Sequence, residues 1–430
     1  MLPVAIISLF GVLGMLFLIF RRPAVHIGRA AVSVFYLPPL VSALLLLFLG
    51  YLTPQEAVSG LAAAGAVNPL KILVLFFSMT LLSVLLDEAG FFAFLAGAVL
   101  RRAGKSQLRL FCYLFIAVSL LTVFTSNDIV VLTFTPFICY FCHHAEIDPV
   151  PYLFGEFVAA NTWSMVLMIG NPTNIYLSAA RVDFFGYLRL MWLPTLLAGV
   201  VSFALLLLLF GRKLRAPIAG SPPEKTEMDR PSVALGLTAL FSCVALLSLS
   251  SFLGLPMWRI ALFCFLGLYL AVAAELLWRR RGLALLRRSL LRTPLDTAPF
   301  VLSMFLLVLA LHRAGVTGAL SGLLLSGNEI FTFGIASFLS ANLINNIPMS
   351  VLFSFLCAAP GAGEGALFAA VIGSNLGAFL TPVGALAGIM WMAMLRGNGV
   401  PLSFGRFTRY GAAVSVPALL AALWGLSVLL

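Results

Sequence analysis

Residues 108–142 read LRLFCYLFIAVSLLTVFTSNDIVVLTFTPFICYFC, and residues 331–358 read FTFGIASFLSANLINNIPMSVLFSFLCA. Each stretch is apolar on both sides of a polar interruption. The interruption is Thr125-Ser126-Asn127-Asp128 in the first and Asn342-Leu343-Ile344-Asn345-Asn346-Ile347-Pro348 in the second. A hydrocarbon core of ~30 Å takes about 20 helical residues, and each arm has only ~11–17. Neither arm is then expected to cross alone, and each pair predicts a re-entrant hairpin. Irregular backbone at membrane depth persists only inside protein or along a watery cavity. Both tips should therefore face a site.

The surrounding chain supports a membrane setting. Of 430 residues, 62% are apolar and 10% charged, and the mean hydropathy is +1.10. A soluble domain carries ~25% charged residues, and this chain could not cover its apolar surface in water. Nucleic-acid binders, disordered chains and ordinary cytosolic enzymes are excluded, and the lipid bilayer is the partner. Full-length spans are expected at 2–20, 31–50, 72–90, 187–210, 233–253, 257–278 and 410–428, with a shorter one at 298–311. Two more spans are interrupted: 153–182 at Gly170-Asn171-Pro172-Thr173-Asn174, and 366–395 at Thr381-Pro382-Val383-Gly384. The stretch Leu2 to Phe20 lacks a basic n-region and a small-residue cleavage site, so it reads as a retained span.

The expected fold is an all-α polytopic membrane protein. It has about ten transmembrane helices in two inverted repeats, each with a re-entrant hairpin and a discontinuous helix. Of 26 Lys and Arg, 21 fall in loops 21–30, 101–109, 211–232, 279–292 and 396–409. Cytoplasmic loops accumulate such residues, which puts the N-terminus outside and explains the net charge of +11. The expected organisation is N-terminal scaffold spans (1–70), a first repeat (71–210), a cytoplasmic linker (211–232), scaffold spans with a basic loop (233–297), and a second repeat (298–430). Residues 78–100 and 303–325 align without gaps and match at ten of 23 positions, Gly90/Gly315 among them. Inverted repeats with paired discontinuous helices point to a secondary transporter with its site at mid-membrane. Nothing resembles a filter loop presented in a ring, which argues against a channel.

At Ser126-Asn127-Asp128, Gly170-Asn171-Pro172-Thr173-Asn174, Asn345-Asn346-Ile347-Pro348 and Gly373 to Gly384, the chain resembles the ion transporter superfamily. Most of all it looks like the ArsB-type arsenite permeases and the NhaD-type sodium/proton antiporters, and more distantly the divalent anion/sodium symporters. The resemblance spans roughly residues 70–410. It implies an elevator-like transporter in the bacterial inner membrane, a homodimer, and tips that meet broken spans to bind ion and substrate. The symporters carry Ser-Asn-Thr at both tips. Ser126, Asn127 and Asn345 fit that pattern, whereas Asp128 and Asn346 hold the threonine positions. This shifts the reading toward the arsenite and antiporter branch.

The residues supply matching chemistry. Asp128 is the expected coupling acid, because a carboxylate at membrane depth is costly unless paired, solvated or protonated. It also suits the start of the arm at Ile129, where a helix N-terminus favours negative charge. Asn127, Asn171, Thr173, Asn174, Asn345, Asn346, Asn375 and Thr381 offer neutral donors and acceptors suited to a small hydroxylated solute or oxyanion, although Asn and Pro also simply terminate helices. Glu156 is the second proton candidate. Asp87, Glu88 and Asp183 read as interfacial. His312 and Arg313 align with Asp87 and Glu88, which suggests an ion pair between the halves.

Cys139-Tyr140-Phe141-Cys142-His143-His144 formally matches a c-type haem attachment pattern, but it lies at the cytoplasmic end of an arm. It reads as an apolar helix face, and all six cysteines are expected to be free thiols. An intramembrane enzyme would need two deep aspartates or a metal-binding histidine cluster, and the chain has neither. No cofactor or metal is expected. There is no ATP-binding motif, so energy must come from ion gradients or a separate ATPase subunit. The sequence thus favours proton-coupled extrusion of arsenite or antimonite, a small inorganic substrate. Na+/H+ antiport and sodium-coupled uptake of a dicarboxylate or oxyanion remain the alternatives, so the coupling ion is H+ or Na+.

Overall fold

The computed structural model describes the chain apart from residues 22–23, 28–29, 63–67, 180 and 219–226. The middle of the expected 211–232 linker and part of the 21–30 loop therefore lie outside the described residues. Without water to bond the backbone, the chain satisfies its N–H and C=O groups within helices. It opens with α1 (Leu2–Arg21), a two-stranded ribbon pairing Ala24–Ile27 with Ala30–Ser33, α2 (Leu37–Phe48) and α3 (Pro54–Ala62). The ribbon is a small exception to the all-α expectation. It also shortens the expected 31–50 span to the 12 residues of α2, whose first turn holds Pro38 and Pro39, residues that tolerate only the start of a helix.

Seven helices follow: α4 (Pro69–Glu88), α5 (Phe91–Ala103), α6 (Gln107–Phe124), α7 (Asn127–His144), α8 (Val150–Trp163), α9 (Pro172–Ser178) and α10 (Phe184–Phe210). Then come α11 (Arg230–Ser248), α12 (Ser250–Leu253), α13 (Met257–Trp278) and α14 (Ala284–Leu291). A second set of seven closes the chain: α15 (Thr297–Arg313), α16 (Val316–Leu324), α17 (Glu329–Ile344), α18 (Asn346–Leu356), α19 (Glu364–Gly377), α20 (Leu386–Gly397) and α21 (Phe404–Leu429). The two sets correspond helix for helix. Gly90 and Gly315, aligned in the sequence, both take left-handed backbone (φ +86° and +79°) and turn the chain from the first helix of the set into the second. Glycine adopts that conformation without a Cβ penalty. The turn between α15 and α16 is 81°.

Each opening pair packs on the other half. The α1–α2 pair lies against α15, and α11–α13 lie against α4. Within each set, α6 packs on α8 and α17 on α19, while α10 meets α21 between the sets. The shorter elements cross over: α7 contacts α20, and α18 contacts α9. The core accordingly runs down the middle. The most apolar window of α4 is 78% buried, against 33% in α11 and 28% in α13, whose outer faces are left for lipid.

Among the described residues, seven helices are long and apolar enough to span a membrane, and the bent α15–α16 pair makes eight. One of the seven is α6, at 18 residues longer than the expected arm, because Ser106 starts the helix by accepting from the Arg109 N–H. The expected ion pair between Asp87–Glu88 and His312–Arg313 does not form. Arg292 instead reaches Asp87 and Glu88 at 2.8 Å each, Arg288 reaches Glu88 at 3.1 Å, and Arg313 pairs with Glu56 on α3.

Candidate functional site

The tips and breaks are built from side chains that replace helical hydrogen bonds. The first break runs from Ser164 to Asn171, beginning six residues before the Gly170–Asn174 stretch that the sequence points to. Asn174 causes this. Its Nδ2 donates to the Ser164 carbonyl (2.9 Å), which the unwound turn leaves open, and to the Leu167 carbonyl (3.1 Å), which also accepts from the Gly170 N–H. Asn171 then restarts the helix as α9 by accepting from the Thr173 N–H at 3.1 Å. The backbone folds so tightly that a Cβ on Gly170 would lie 2.4 Å from the Ser164 carbonyl oxygen. In the second break a Cβ on Gly384 would lie 2.3 Å from the Gly377 carbonyl oxygen.

Asn375, two residues from the end of α19, joins the two breaks. Its Oδ1 accepts from Asn171 Nδ2 (2.9 Å) and Ser164 Oγ (3.0 Å), and its Nδ2 donates to Asn174 Oδ1 (2.7 Å) and the Val371 carbonyl (2.8 Å). Asn171, Asn174 and Asn375 thus form one fully buried cluster. The first tip is tied to it through Asn161. Asn127 Nδ2 donates to Asn161 Oδ1 at 3.0 Å, and Ser164 Oγ reaches the Asn161 carbonyl at 3.0 Å. Asn161 and Asn375 stand two residues from the ends of α8 and α19 respectively, and each donates to the carbonyl four residues earlier. Asn161 escapes a reading of the sequence alone, although aligning the two broken helices would have found it.

The second tip is bound to its own break. Asn345 takes a positive φ of 73°, caps α18 through the Ile347 N–H, and donates from Nδ2 to the Val383 carbonyl at 3.0 Å. The Asn346 N–H donates to the Gly384 carbonyl at 3.1 Å. Asn342, at the start of the tip stretch, is a further member that the sequence did not single out. It accepts from the N–H (3.1 Å) and Oγ1 (2.7 Å) of Thr381 and donates to the Gly377 carbonyl at 3.0 Å. Thr381 therefore braces the break.

Against these satisfied groups, several buried polar atoms have no hydrogen-bond partner among the described residues: Asn127 Oδ1, Asn346 Oδ1, and the hydroxyls of Thr162, Thr173, Ser374 and Tyr176. Buried polar atoms are ordinarily paired, so these mark unspent binding capacity. Asn127 and Asn346 are the first residues of α7 and α18, so the two tips present the same unfilled amide acceptor. Asn161 Nδ2 is committed to the Phe157 carbonyl at 2.8 Å, so Asn161 presents its oxygen to Asn127 and leaves Asn127 Oδ1 free. Among the described residues, no cationic side chain belongs to this network.

Two carboxylates lie nearby. Asp128 sits half-buried in the first turn of α7, and no hydrogen bond engages its carboxyl among the described residues. Glu156 is completely enclosed on α8, where Thr135 Oγ1 of α7 lies 3.2 and 3.1 Å from its two oxygens. Ser126 and Thr125 border a cavity of ≈ 10 Å³ with Met79, Thr80 and Ser83 of α4 and Pro172 of α9. That is room for about one water. Asp183 caps α10 through the Gly186 N–H, and His144 Nδ1 lies 2.8 Å from the Tyr140 carbonyl.

A family model described as citrate transporter matches residues 15–373. The chain belongs to the citrate transporter family. Its relatives include an arsenical pump membrane protein of Escherichia coli, 29% identical and covering 82% of this chain and 85% of its own length. One from Yersinia enterocolitica is 28% identical with the same coverage, and a putative arsenical pump membrane protein of Bacillus subtilis is 23% identical over 76% of this chain and 80% of its own. Among solved structures, the Alcanivorax borkumensis YdaH transporter aligns over 99% of this chain and 97% of its own, with a TM-score of 0.57 at 16% identity. Neisseria gonorrhoeae MtrF aligns over 99% and 94%, with a TM-score of 0.50 at 16% identity. These two establish the likeness of fold. The protein is a polytopic secondary transporter of the citrate transporter family and not an enzyme.

Proposed function

We propose that this transporter extrudes arsenite or antimonite across the bacterial inner membrane in exchange for protons. The observation that carries the reading is that each tip has a buried, unfilled amide acceptor, Asn127 Oδ1 and Asn346 Oδ1, and that the Thr162, Thr173 and Ser374 hydroxyls are likewise unpartnered, while no cationic side chain belongs to the hydrogen-bond network among the described residues. Arsenous acid is an uncharged trihydroxide at neutral pH. Its O–H groups can donate to the two amide oxygens, and its oxygens can accept from Thr162, Thr173 and Ser374. A citrate-like polyanion would instead require Arg or Lys in the cluster. The arsenical pump relatives support the same substrate class.

Asp128 is the coupling group in this reading. It adjoins Asn127, has no engaged partner among the described residues and alternates between a charged and a neutral form as the site opens and closes. Glu156 on α8, which accepts from Thr135 farther along α7, serves as the inner proton acceptor. Asn171, Thr173, Asn174, Asn345, Asn375, Thr381 and Ser126 shape the site, and the basic loops keep the N-terminus outside. The test is accumulation of radiolabelled arsenite in inside-out vesicles under an imposed proton gradient, with sodium varied. Gradient-driven accumulation that is lost in Asp128→Asn supports the proposal, and coupled transport by that variant refutes Asp128 as the coupling group. Amide oxygens beside a carboxylate also suit Na+. The second reading is therefore Na+/H+ antiport, which predicts no arsenite flux and sodium-dependent collapse of the proton gradient.

A further inference from the structure

A cavity of ≈ 510 Å³ lies where α4, α10 and α13 begin. Two cationic side chains line it, Lys71 in the first turn of α4 and Arg181 between α9 and α10, against one carboxylate, Asp183, which caps α10. Lys71 is exposed, and among the described residues no carboxylate pairs with it. Arg181 donates to the Ser354 carbonyl at 3.2 Å and to the Cys357 carbonyl, both at the end of α18. A guanidinium carries five N–H groups, so donors remain. A third cation is close, since the Arg259 guanidinium lies 5.2 Å from the ring centre of Trp258, itself a lining residue. The helices add to this charge. The N-cap residues of α4, α10 and α13 (Asn68, Asp183 and Pro256) all line the cavity, and these helices run for 20, 27 and 22 residues. Each such N-terminus carries about half a positive charge, and no side chain caps α13. The helices that end at the cavity, α9 and α12, have only seven and four residues.

We propose that this cavity binds a phosphate-type oxyanion, free in solution or carried on a phospholipid headgroup, with Lys71 and Arg181 as its charged donors. Arg181 offers planar N–H groups that match such an oxyanion, and Lys71 offers a mobile point charge. The buried Ser250 adds a hydroxyl to the lining. The chemistry is the reverse of the amide network at the tips, to which no cationic side chain belongs among the described residues. The two places are neighbours along α4: Leu75 lines this cavity, and Phe76 and Met79 line the small one beside Ser126. Because Arg181 also holds the end of α18, an anion bound to it would tie the first half to the arm of the second tip. The site takes an anion whatever solute crosses the membrane, so it stands or falls apart from arsenite transport.

The full-length protein, stripped of lipid in a non-ionic detergent, is melted in increasing potassium phosphate, in increasing dihexanoyl phosphatidylglycerol, and in potassium chloride at matched ionic strength. A ligand that binds only the folded state raises Tm, and the rise should saturate with phosphate or with phosphatidylglycerol but not appear with chloride. Saturation by phosphate assigns a free anion, and saturation by phosphatidylglycerol alone assigns a lipid headgroup. Lys71→Gln, at an exposed position without an ion pair, should fold normally and raise the half-saturating concentration about ten-fold. Asp183→Asn keeps a capping side chain and removes a negative charge, so it should lower that concentration. Arg181→Gln should weaken binding too, but it also frees the end of α18, so the Lys71 variant decides if Arg181→Gln fails to fold. Phosphate excluded from the surface also stabilises proteins. A rise that never saturates, one that is the same in Lys71→Gln as in the wild type, or weaker binding in Asp183→Asn would each overturn the proposal.

Discussion

Asn375 has every polar atom of its side chain engaged, and Asn127 does not, so the two should fail differently when truncated. Asn375→Ala removes the partners of Asn171 Nδ2 and Asn174 Oδ1, while Ser164 Oγ keeps the Asn161 carbonyl. Each buried polar group left unpaired costs about 1–3 kcal/mol, so the variant should lose about 2–6 kcal/mol. For a chain of this length, that is a fall of about 2–7 °C in Tm. Asn127→Ala orphans only Asn161 Oδ1, about 1–3 kcal/mol, yet it removes the unfilled acceptor proposed to receive solute. One neutral hydrogen bond of about 0.5–1.5 kcal/mol corresponds to a weakening of apparent arsenite affinity of about 2–12-fold.

Thermal unfolding in detergent and vesicle uptake, measured on the same preparations, separate the two. The expected pattern is a large loss of Tm for Asn375→Ala and a larger loss of affinity per degree for Asn127→Ala. If Asn375→Ala melts like the wild type but no longer transports, Asn375 is a solute ligand, and the division into braced and open amides is wrong.

Further outcomes follow from individual contacts. Asp128→Asn should abolish proton-driven flux while leaving stability within about 1 kcal/mol of wild type, since the carboxyl has no hydrogen-bond partner to lose among the described residues; a fall in Tm as large as that of Asn375→Ala would make it a structural residue. Glu156→Gln keeps an oxygen for the Thr135 hydroxyl, so it should fold normally and slow coupled transport, and unchanged flux across a range of pH would remove Glu156 from the proton path. Gly170→Ala should destabilise strongly because its Cβ would meet the Ser164 carbonyl oxygen at 2.4 Å; normal expression and melting would contradict the tight turn. Burial raises the Asp229 carboxyl, but Ser232, Arg279 and Arg281 outweigh this and hold it below its ordinary value. Its contribution is therefore complete at neutral pH and is lost only as pH falls through that lowered value. The stability difference between wild type and Asp229→Asn, about 0.2–1 kcal/mol, should vanish on acidification, and a difference that grew in acid would reverse the sign.

The parts of the site legible in the sequence were those that interrupt apolar runs. Asn127, Asn345 and the Pro172 and Pro382 breaks stand out because a polar or helix-breaking residue at that depth survives only where protein or a watery cavity receives it. Asn161 and Ser164 lie inside a segment that looks like continuous helix until Asn174, ten residues on, captures the Ser164 carbonyl. No local propensity encodes a break whose cause arrives from the following helix. The same holds for Arg288 and Arg292. Their charges were plain in the sequence, but their acidic partners lie about 200 residues earlier, joined by the packing of α14 on α4.

The two halves share a frame but divide the chemistry unequally. Position for position, Asn127 and Asn346 begin their arms, and Asn161 and Asn375 end the first segments of their broken helices. Yet where α7 continues with Asp128, α18 continues with Ile347, and where α8 holds Glu156, the equivalent position of α19 is Ala370. Both membrane-depth acids near the site thus belong to the first half, and the second supplies only neutral groups. The outer latches obey the same rule: α4 ends in acids held by Arg288 and Arg292 of α14, whereas α15 ends in Arg313 held by Glu56 of α3. In the proposed reading, the duplicated frame supplies an unfilled acceptor at each tip for a neutral solute, while the acids of the first half alone carry the proton. Proton coupling should therefore respond to substitutions in α7 and α8 and be nearly blind to the matching positions of α18 and α19, whereas solute affinity should depend on both tips.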